Sequence, residues 1–157
     1  MSLKINHLRE SLLDPIGWEH HRAPDQASDA DLLWYFFPGD IEVVSDDAVL
    51  TSDVGSVPAL HFVAAMIGAR DALAVGDNPR YTYDFTEVDH CIIFQKVGDD
   101  VSIESNFSAK VLTAPLDQFS RGVCNFVRRE IEDLIRLYPA LSVRPLVNDL
   151  LRKCDGG

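Results

Sequence analysis

Apolar residues recur along the chain at helical spacing in three stretches. Over residues 113–138 they recur at three- and four-residue steps, which predicts a long amphipathic helix. Residues 57–75 are apolar on nearly every side in their first three turns, which predicts a buried helix with Ser56 as its cap and Gly76 as its end. Residues 144–153 predict a short final helix.

Short apolar runs separated by turn residues predict β-strands. The predicted strands cover residues 32–37, 41–44, 48–51, 81–85, 91–95, 101–107 and 110–113. Trp34 and Tyr35 are expected in the core or on a sheet face, because aromatic residues favour pleated, half-buried surfaces. An exposed aromatic binding patch is the alternative. The turn at Gly98 predicts a hairpin between two of the strands.

The order of the elements predicts the fold class. A short helix near residues 8–13 comes first, and residues 20–31 form a loop. The strands come in groups and do not alternate with helices, which favours antiparallel pairing. We therefore expect an α+β fold, with an antiparallel sheet that carries the buried helix and the long C-terminal helix on one face. The 157 residues fit one domain, 1–157, with loose ends at 1–4 and 154–157.

Charge is distributed unevenly along the chain. There are 25 acidic and 14 basic residues, and the formal charge of −11 comes mainly from residues 1–60, which hold 11 acids and 3 bases. This balance argues against binding to nucleic acid, which needs clustered Lys and Arg, and it would steer the protein toward a basic protein partner. The carboxylates that we expect to contact such a partner are Asp40, Glu42, Asp46, Asp47, Asp84, Glu87 and Asp89.

The cysteines and the longest apolar run bear on the compartment. Cys91, Cys124 and Cys154 are odd in number and widely spaced, which favours reduced thiols in the cytosol. The N-terminus lacks the apolar stretch of a secretory signal, and residues 62–69 are too few to span a bilayer. We expect a cytoplasmic protein without membrane association. The sequence does not predict its oligomeric state.

Metal or cofactor chemistry has weak support in the sequence. His20 and His21 lie near Asp25 in a loop, and His90 and Cys91 follow one another. Neighbouring residues on a strand point to opposite faces, so the second pair is poorly placed to share an ion. We therefore expect neither a metal nor a cofactor.

Catalytic motifs are missing as well. Cys91 or Cys124 with His61 could form a nucleophile and base, but buried cysteines and histidines are usually packing residues. Neither a glycine-rich phosphate loop nor a GxSxG elbow is present. The sequence therefore favours a binding protein over an enzyme.

The central part of the chain, residues 32–142, resembles small acidic bacterial immunity proteins, the antidotes encoded beside polymorphic toxins, and related actinobacterial domains. The resemblance is carried by FPGDIEV at 37–43, YDF at 83–85 with IIF at 92–94, VSI at 101–103 and RLYPAL at 136–141. It implies an acidic face that covers the basic active site of a toxin enzyme.

Three functions are therefore open. The first is a binding or inhibitory module that uses its acidic surface. The second is a small-ligand-binding protein or enzyme with a pocket between sheet and helices, lined by Trp34, His61 and Tyr83. The third is a structural or oligomerising subunit.

Overall fold

A computed structural model describes residues 2–9, 17–53 and 56–155. Within these ranges the helices are α1 (Asp29–Tyr35), α2 (Ala59–Leu73), α3 (Leu116–Leu137) and α4 (Pro145–Asp155). The strands are β1 (Lys4–Leu8), β2 (Pro38–Val44), β3 (Val49–Thr51), β4 (Val57–Pro58), β5 (Arg80–Asp84), β6 (Cys91–Val97), β7 (Asp100–Ser105) and β8 (Leu112–Pro115). Short 3₁₀ helices lie at Trp18–His20, Pro24–Gln26 and Pro139–Val143.

The first sheet is built around β2. Strands β1 and β3 pair with it on either side, and β4 pairs with its first two residues, all antiparallel. Ile5 lies opposite Val43, and both are buried. Leu8 belongs to β1, so the helix that we expected near residues 8–13 does not begin there; residues 10–16 lie outside the described residues.

The second sheet contains β5, β6, β7 and β8 in sequence order, again antiparallel. The predicted hairpin joins β6 to β7 through the two residues Gly98 and Asp99. Gly98 has a φ of +63°, a conformation that glycine adopts without a steric penalty. The α+β class with antiparallel strands is confirmed, and the strands are divided between two sheets.

The aromatic run at residues 32–37 is mostly helical, which corrects the strand that we expected. Helix α1 begins after Ser28, whose hydroxyl oxygen accepts a hydrogen bond from the Asp31 backbone N–H at 3.1 Å. Such a cap, with acidic residues in the first turn, stabilises a helix start. Phe37 then has a φ of 58°, and the chain turns into β2. The local cap therefore outweighs the strand propensity of the rings.

Helix α2 is buried as predicted but shorter than expected. It begins at Ala59, because Val57 and Pro58 pair with β2, so Ser56 does not cap it. It ends at Leu73, ahead of Gly76. Nine of its residues are buried, which matches its apolar character on every side.

Helix α3 is the long amphipathic helix that the spacing predicts. Its apolar side faces the core, and a Cβ atom at Gly122 would lie only 2.9 Å from the carbonyl oxygen of Leu3. Glycine at this position therefore lets β1 approach the helix closely. Helix α4 packs on α3. Leu3 and Cys154 are both buried, whereas residues 1, 156 and 157, also expected to be loose, lie outside the described residues.

One apolar core joins both sheets to the helices. Phe62 of α2 packs edge-on against Phe126 of α3, with ring centroids 5.4 Å apart. It packs in the same way against Tyr83 of β5, also at 5.4 Å. These contacts join β5 of the second sheet to α2 and α3. Across residues 2–9, 17–53 and 56–155, none of the helices combines the length and the apolar character that crossing a membrane requires.

A buried polar cluster fastens β1 to α3. The His7 side chain is fully buried, and its Nε2 donates to the Val57 carbonyl at 2.6 Å. Arg9 forms an ion pair with Glu130, whose carboxylate also lies 3.8 Å from His7 Nδ1. Burial lowers the pKa of His7 to about 4, so the imidazole is neutral at neutral pH. These contacts stabilise the packing of the first strand.

Candidate functional site

Two of the seven candidate carboxylates are engaged inside the first sheet. Asp40 is buried on β2 and accepts a hydrogen bond from the Ser52 hydroxyl at 3.0 Å. Glu42, two residues further along β2, accepts from the Asn6 side-chain amide at 2.9 Å. Asp40 is therefore a structural residue and is not available to a partner, which corrects that part of the expectation.

The other five candidates are exposed, but at opposite ends of the first sheet. Asp46 and Asp47 form the turn after β2, and Asp47 faces the second sheet near Asp100. Glu87 lies near Pro38, where β2 begins. The seven residues of β2 span about 20 Å at the usual rise of a strand. The structure therefore divides these carboxylates and does not gather them on one face.

The remaining two candidates, Asp84 and Asp89, lie on the same side of the molecule as Glu87. Asp84 ends β5, and Asp89 belongs to the connection that leads into β6. The Asn106 side chain holds this connection, because its amide nitrogen donates to the Asp89 carbonyl at 3.0 Å and its oxygen accepts from the Cys91 backbone N–H at 2.9 Å. Glu87 is thus carried on a tethered connection.

Three aromatic side chains are exposed beside Glu87. Trp34 and Tyr35 on α1 are 46% and 45% exposed, and Trp18 is 39% exposed. The expectation that Trp34 and Tyr35 lie in the core is wrong, because α1 turns only Leu32 fully inward. Trp18 stacks on Tyr35, with ring centroids 4.4 Å apart and planes at 16°. Large rings exposed together in this way are typical of interaction surfaces.

A hollow of about 340 Å³ lies between these rings and the start of the first sheet. The Oγ atom of Ser56 is buried there without a hydrogen-bond partner, although Ser56 itself is only partly buried. We name this site the aromatic groove. Its lining residues are Trp18, Trp34, Tyr35, Pro38, Ser56, Pro58 and Glu87.

A second hollow, of about 420 Å³, lies on the other side of Trp34. His61 of α2 lies with its ring centroid 4.5 Å from that of Trp34, and its Nδ1 is 3.1 Å from the Tyr83 hydroxyl. Trp34, His61 and Tyr83, the residues that we expected to line a pocket, do line this hollow. Asp84 lies on the same wall. Trp34 is thus shared between the two hollows.

Burial determines the protonation state of three side chains that line the second hollow. It lowers the pKa of His61, and it raises the pKa of Tyr81 and of Tyr83. At neutral pH this wall therefore presents a neutral imidazole and neutral phenols next to the Asp84 carboxylate. Such a set offers hydrogen bonds and π faces to a ligand, with negative charge at one side.

The histidine and cysteine pairs singled out in the sequence lie elsewhere. His90 stacks on Phe107 at 4.8 Å, and Cys124 accepts a hydrogen bond from Arg70 at 2.9 Å, so Cys124 is engaged by an arginine. His20 lies 3.9 Å from Glu19. In the described part of the chain, no three His, Cys, Asp or Glu residues are grouped so that they could hold a metal ion.

Sequence reasoning kept exposed rings at Trp34 and Tyr35 only as the alternative, and it did not connect them with Trp18. The signal that could have found them is the capping pattern at Ser28, followed by two acidic residues, directly before the aromatic run. A helix started there places the consecutive residues Trp34 and Tyr35 about 100° apart, and only part of such a short helix can face the core. Comparison of the chain with protein-family models, with curated proteins and with solved structures gave no match.

Proposed function

We infer that this protein is a recognition module that binds a basic segment of a protein partner in the aromatic groove. The observation that carries this proposal is the set of three exposed aromatic rings around a hollow with a carboxylate on its rim. The partner is expected to insert an arginine or lysine side chain between the rings, with its charge facing Glu87.

The rings favour a cation with an apolar stem. A guanidinium or ammonium group over an exposed indole gains about 0.5–1 kcal/mol, and about 2 kcal/mol when water is excluded. The molecule already contains such a contact, because the guanidinium carbon of Arg22 lies 5.9 Å from the centre of the Trp18 ring. The apolar stem of arginine or lysine would pack on Pro38 and Pro58.

Charge supports the same class of partner. The chain carries a net charge of −11. Glu87 lines the aromatic groove together with Trp34, and Asp84 lines the second hollow together with Trp34. A negative field raises the association rate of a basic partner and disfavours an acidic one. A toxin enzyme with a basic active site, the partner of an immunity protein in the bacterial cytoplasm, is one partner of this kind.

A small organic cation is a second candidate ligand. It is favoured by the convergence of Trp34, His61 and Tyr83 on one hollow of about 420 Å³, a size within the range of small-molecule sites. A ligand of this class would need only the second hollow, whereas a protein segment would extend along the aromatic groove.

The test uses the tryptophans of the protein as reporters. The chain has two tryptophans, Trp18 and Trp34, and both line the aromatic groove. Synthetic peptides with one arginine or lysine between neutral residues are titrated while tryptophan fluorescence is recorded. Matched peptides with glutamine at that position and methylguanidinium alone serve as comparisons.

The proposal predicts a saturable fluorescence change with at least one cationic peptide. The response should weaken severalfold with the matched glutamine peptide and with added salt. Equal responses to cationic and glutamine peptides, or no saturable response, would contradict it. Saturation by methylguanidinium as tight as that by the peptides would replace it with the small-cation function.

A further inference from the structure

Two thiols lie side by side where helices α2, α3 and α4 meet. Nη1 of Arg70 donates to Cys124 Sγ at 2.9 Å and to Cys154 Sγ at 3.3 Å, so both sulfur atoms lie within hydrogen-bond distance of one nitrogen atom. One guanidinium group therefore holds both sulfur atoms. The spacing of 30 residues between these cysteines gives no hint of the pairing.

The guanidinium of Arg70 is itself fixed on two further sides. Its Nη2 donates to the Lys153 carbonyl at 3.1 Å, and its Nε donates to Asp71 at 3.0 Å. Arg128 of α3 donates to the Cys154 carbonyl at 2.7 Å. The last turn of α4, which carries Cys154, is thus tied to α2 and α3 by two arginines.

The two thiols differ in access to solvent. Cys124 is half-buried and lines an open hollow of about 200 Å³, together with Arg121 and Arg128. Cys154 borders the same hollow, but it is only 2% exposed. A small oxidant can therefore reach Cys124 more easily than Cys154, beside the guanidinium groups of Arg121 and Arg128. Reactive cysteines are typically found in partly exposed, electropositive settings of this kind.

We propose that Cys124 and Cys154 form a thiol pair that a hydroperoxide oxidises to a disulfide. The Cys124 thiolate attacks the terminal peroxide oxygen, so that an S–O bond forms and the O–O bond breaks. The alkoxide or hydroxide that leaves takes a proton from water and becomes an alcohol or water. The Cys154 sulfur then attacks the sulfenic acid at Cys124. An S–S bond forms, and the hydroxide leaves as water with the Cys154 proton.

The roles of the two cysteines follow from their surroundings. Burial, with the hydrogen bond to Cys124 as the next cause, raises the pKa of Cys154 to about 12, so this residue stays a thiol and keeps the proton that the second step consumes. Arg70 donates hydrogen bonds to both sulfur atoms, so its positive charge lies next to Cys124 when this residue reacts as a thiolate. The disulfide would connect α3 to the last turn of α4.

The test is oxidation of the full chain with hydrogen peroxide, followed by alkylation of the remaining thiols and mass spectrometry. Formation of the disulfide removes two hydrogen atoms, about 2 Da, and leaves Cys91 as the one cysteine that is alkylated. After digestion, the peptides that contain Cys124 and Cys154 should be found linked to each other. The variant Cys91→Ser should give the same disulfide. A disulfide that includes Cys91, faster loss of the Cys91 thiol, or three thiols that stay free would overturn the proposal.

Two variants test the order of the steps. In Cys154→Ala the second step is removed, so Cys124 should accumulate as a sulfenic acid that dimedone traps. In Arg70→Gln the alkylation of Cys124 by iodoacetamide should slow about tenfold at neutral pH, and its pH profile should move to higher pH. An alkylation rate that stays equal or rises, or a dimedone adduct on Cys91 alone, would contradict the assigned roles.

Discussion

The buried cluster of His7, Arg9 and Glu130 and the aromatic groove each place a glutamate carboxylate near ring side chains, but in opposite settings. In the cluster, the His7 and Glu130 side chains are 0% and 5% exposed, and every charge faces a partner within the protein. In the groove, a carboxylate and three aromatic rings face solvent. A buried charge is strongly destabilising unless it is paired, whereas exposed rings leave apolar surface to be covered. The first region therefore holds the fold, and the second suits a ligand.

The largest expected effect concerns the cluster. Glu130→Gln removes the carboxylate opposite Arg9 and His7, and loss of one partner of a buried pair costs about 3–5 kcal/mol. Urea unfolding should show a loss of about 3 kcal/mol, because Arg9 retains partial access to water. The matched control is Glu132→Gln, an exposed neighbour on the same helix, which should change the stability by less than about 0.5 kcal/mol. Equal effects of the two changes would show that the cluster does not hold the fold.

The pH dependence of stability tests the same cluster through His7. Its pKa is about 4 in the folded protein and 6.5 when exposed, so the unfolded chain binds the proton more tightly. This group has no effect above the unfolded pKa, and it lowers the free energy of unfolding by about 3 kcal/mol as the pH falls from 6.5 to 4. The free energy of unfolding of wild type and of His7→Gln is measured with urea across this pH window. The difference between the two proteins gives the contribution of His7, because the carboxylates titrate in both. If the free energy of unfolding fell equally with pH in both proteins, this role of His7 would be contradicted.

In the groove, the largest effect is expected at Trp34. Trp34→Ala removes the ring shared by both hollows, and the affinity for a cationic peptide should fall tenfold or more, equivalent to about 1.4 kcal/mol or more. The free energy of unfolding should change by less than about 1 kcal/mol, because the ring is 46% exposed. Leu137→Ala, at an exposed apolar residue of α3, is the control and should leave binding unchanged. A stability loss larger than the binding loss would assign Trp34 to the fold.

The smallest effect is expected at the groove carboxylate. Glu87→Gln should lower the affinity for the same peptide about threefold at low salt and less at high salt, because exposed ion pairs contribute about 0.2–1 kcal/mol. Asp47→Asn, at the far end of β2, removes one charge from the same surface field and should leave the affinity within about a factor of 1.5. Equal losses from the two changes would mean that net charge, and not the groove, attracts the peptide.

The parts of the fold that follow from the sequence are those with a strong local period. Helix α3 is predicted because Phe119, Val123, Phe126 and their neighbours form one apolar stripe, and α2 is predicted because its first turns are apolar all round. The β6–β7 hairpin follows from Gly98. Each of these signals lies within a few residues and needs no distant contact.

The elements that were predicted wrongly depend on competing or distant interactions. In α1, the cap at Ser28 competes with the strand propensity of the aromatic run and determines the structure. In β1, the buried His7 looks like a surface residue, because its partners Val57 and Glu130 are 50 or more residues away. Local periodicity contains neither kind of information.

The candidate site was predictable in part. Trp34, His61 and Tyr83 were grouped from the sequence, and the structure brings them to one hollow. The exposed groove was missed, because its rings come from Trp18 and α1, its floor from Pro38 and Pro58, and its carboxylate from the connection after β5. Only the packing of α1 beside that connection places a carboxylate next to the rings.

The most direct test of recognition by the groove is a double-mutant cycle between Glu87 and the cation of a bound peptide. Wild type and Glu87→Gln are each titrated with the arginine peptide and with its glutamine counterpart, with the tryptophan fluorescence as the signal. The account predicts a coupling free energy of about 0.5 kcal/mol or more that decreases with salt. A coupling of zero, with both peptides weakened equally by Glu87→Gln, would contradict it.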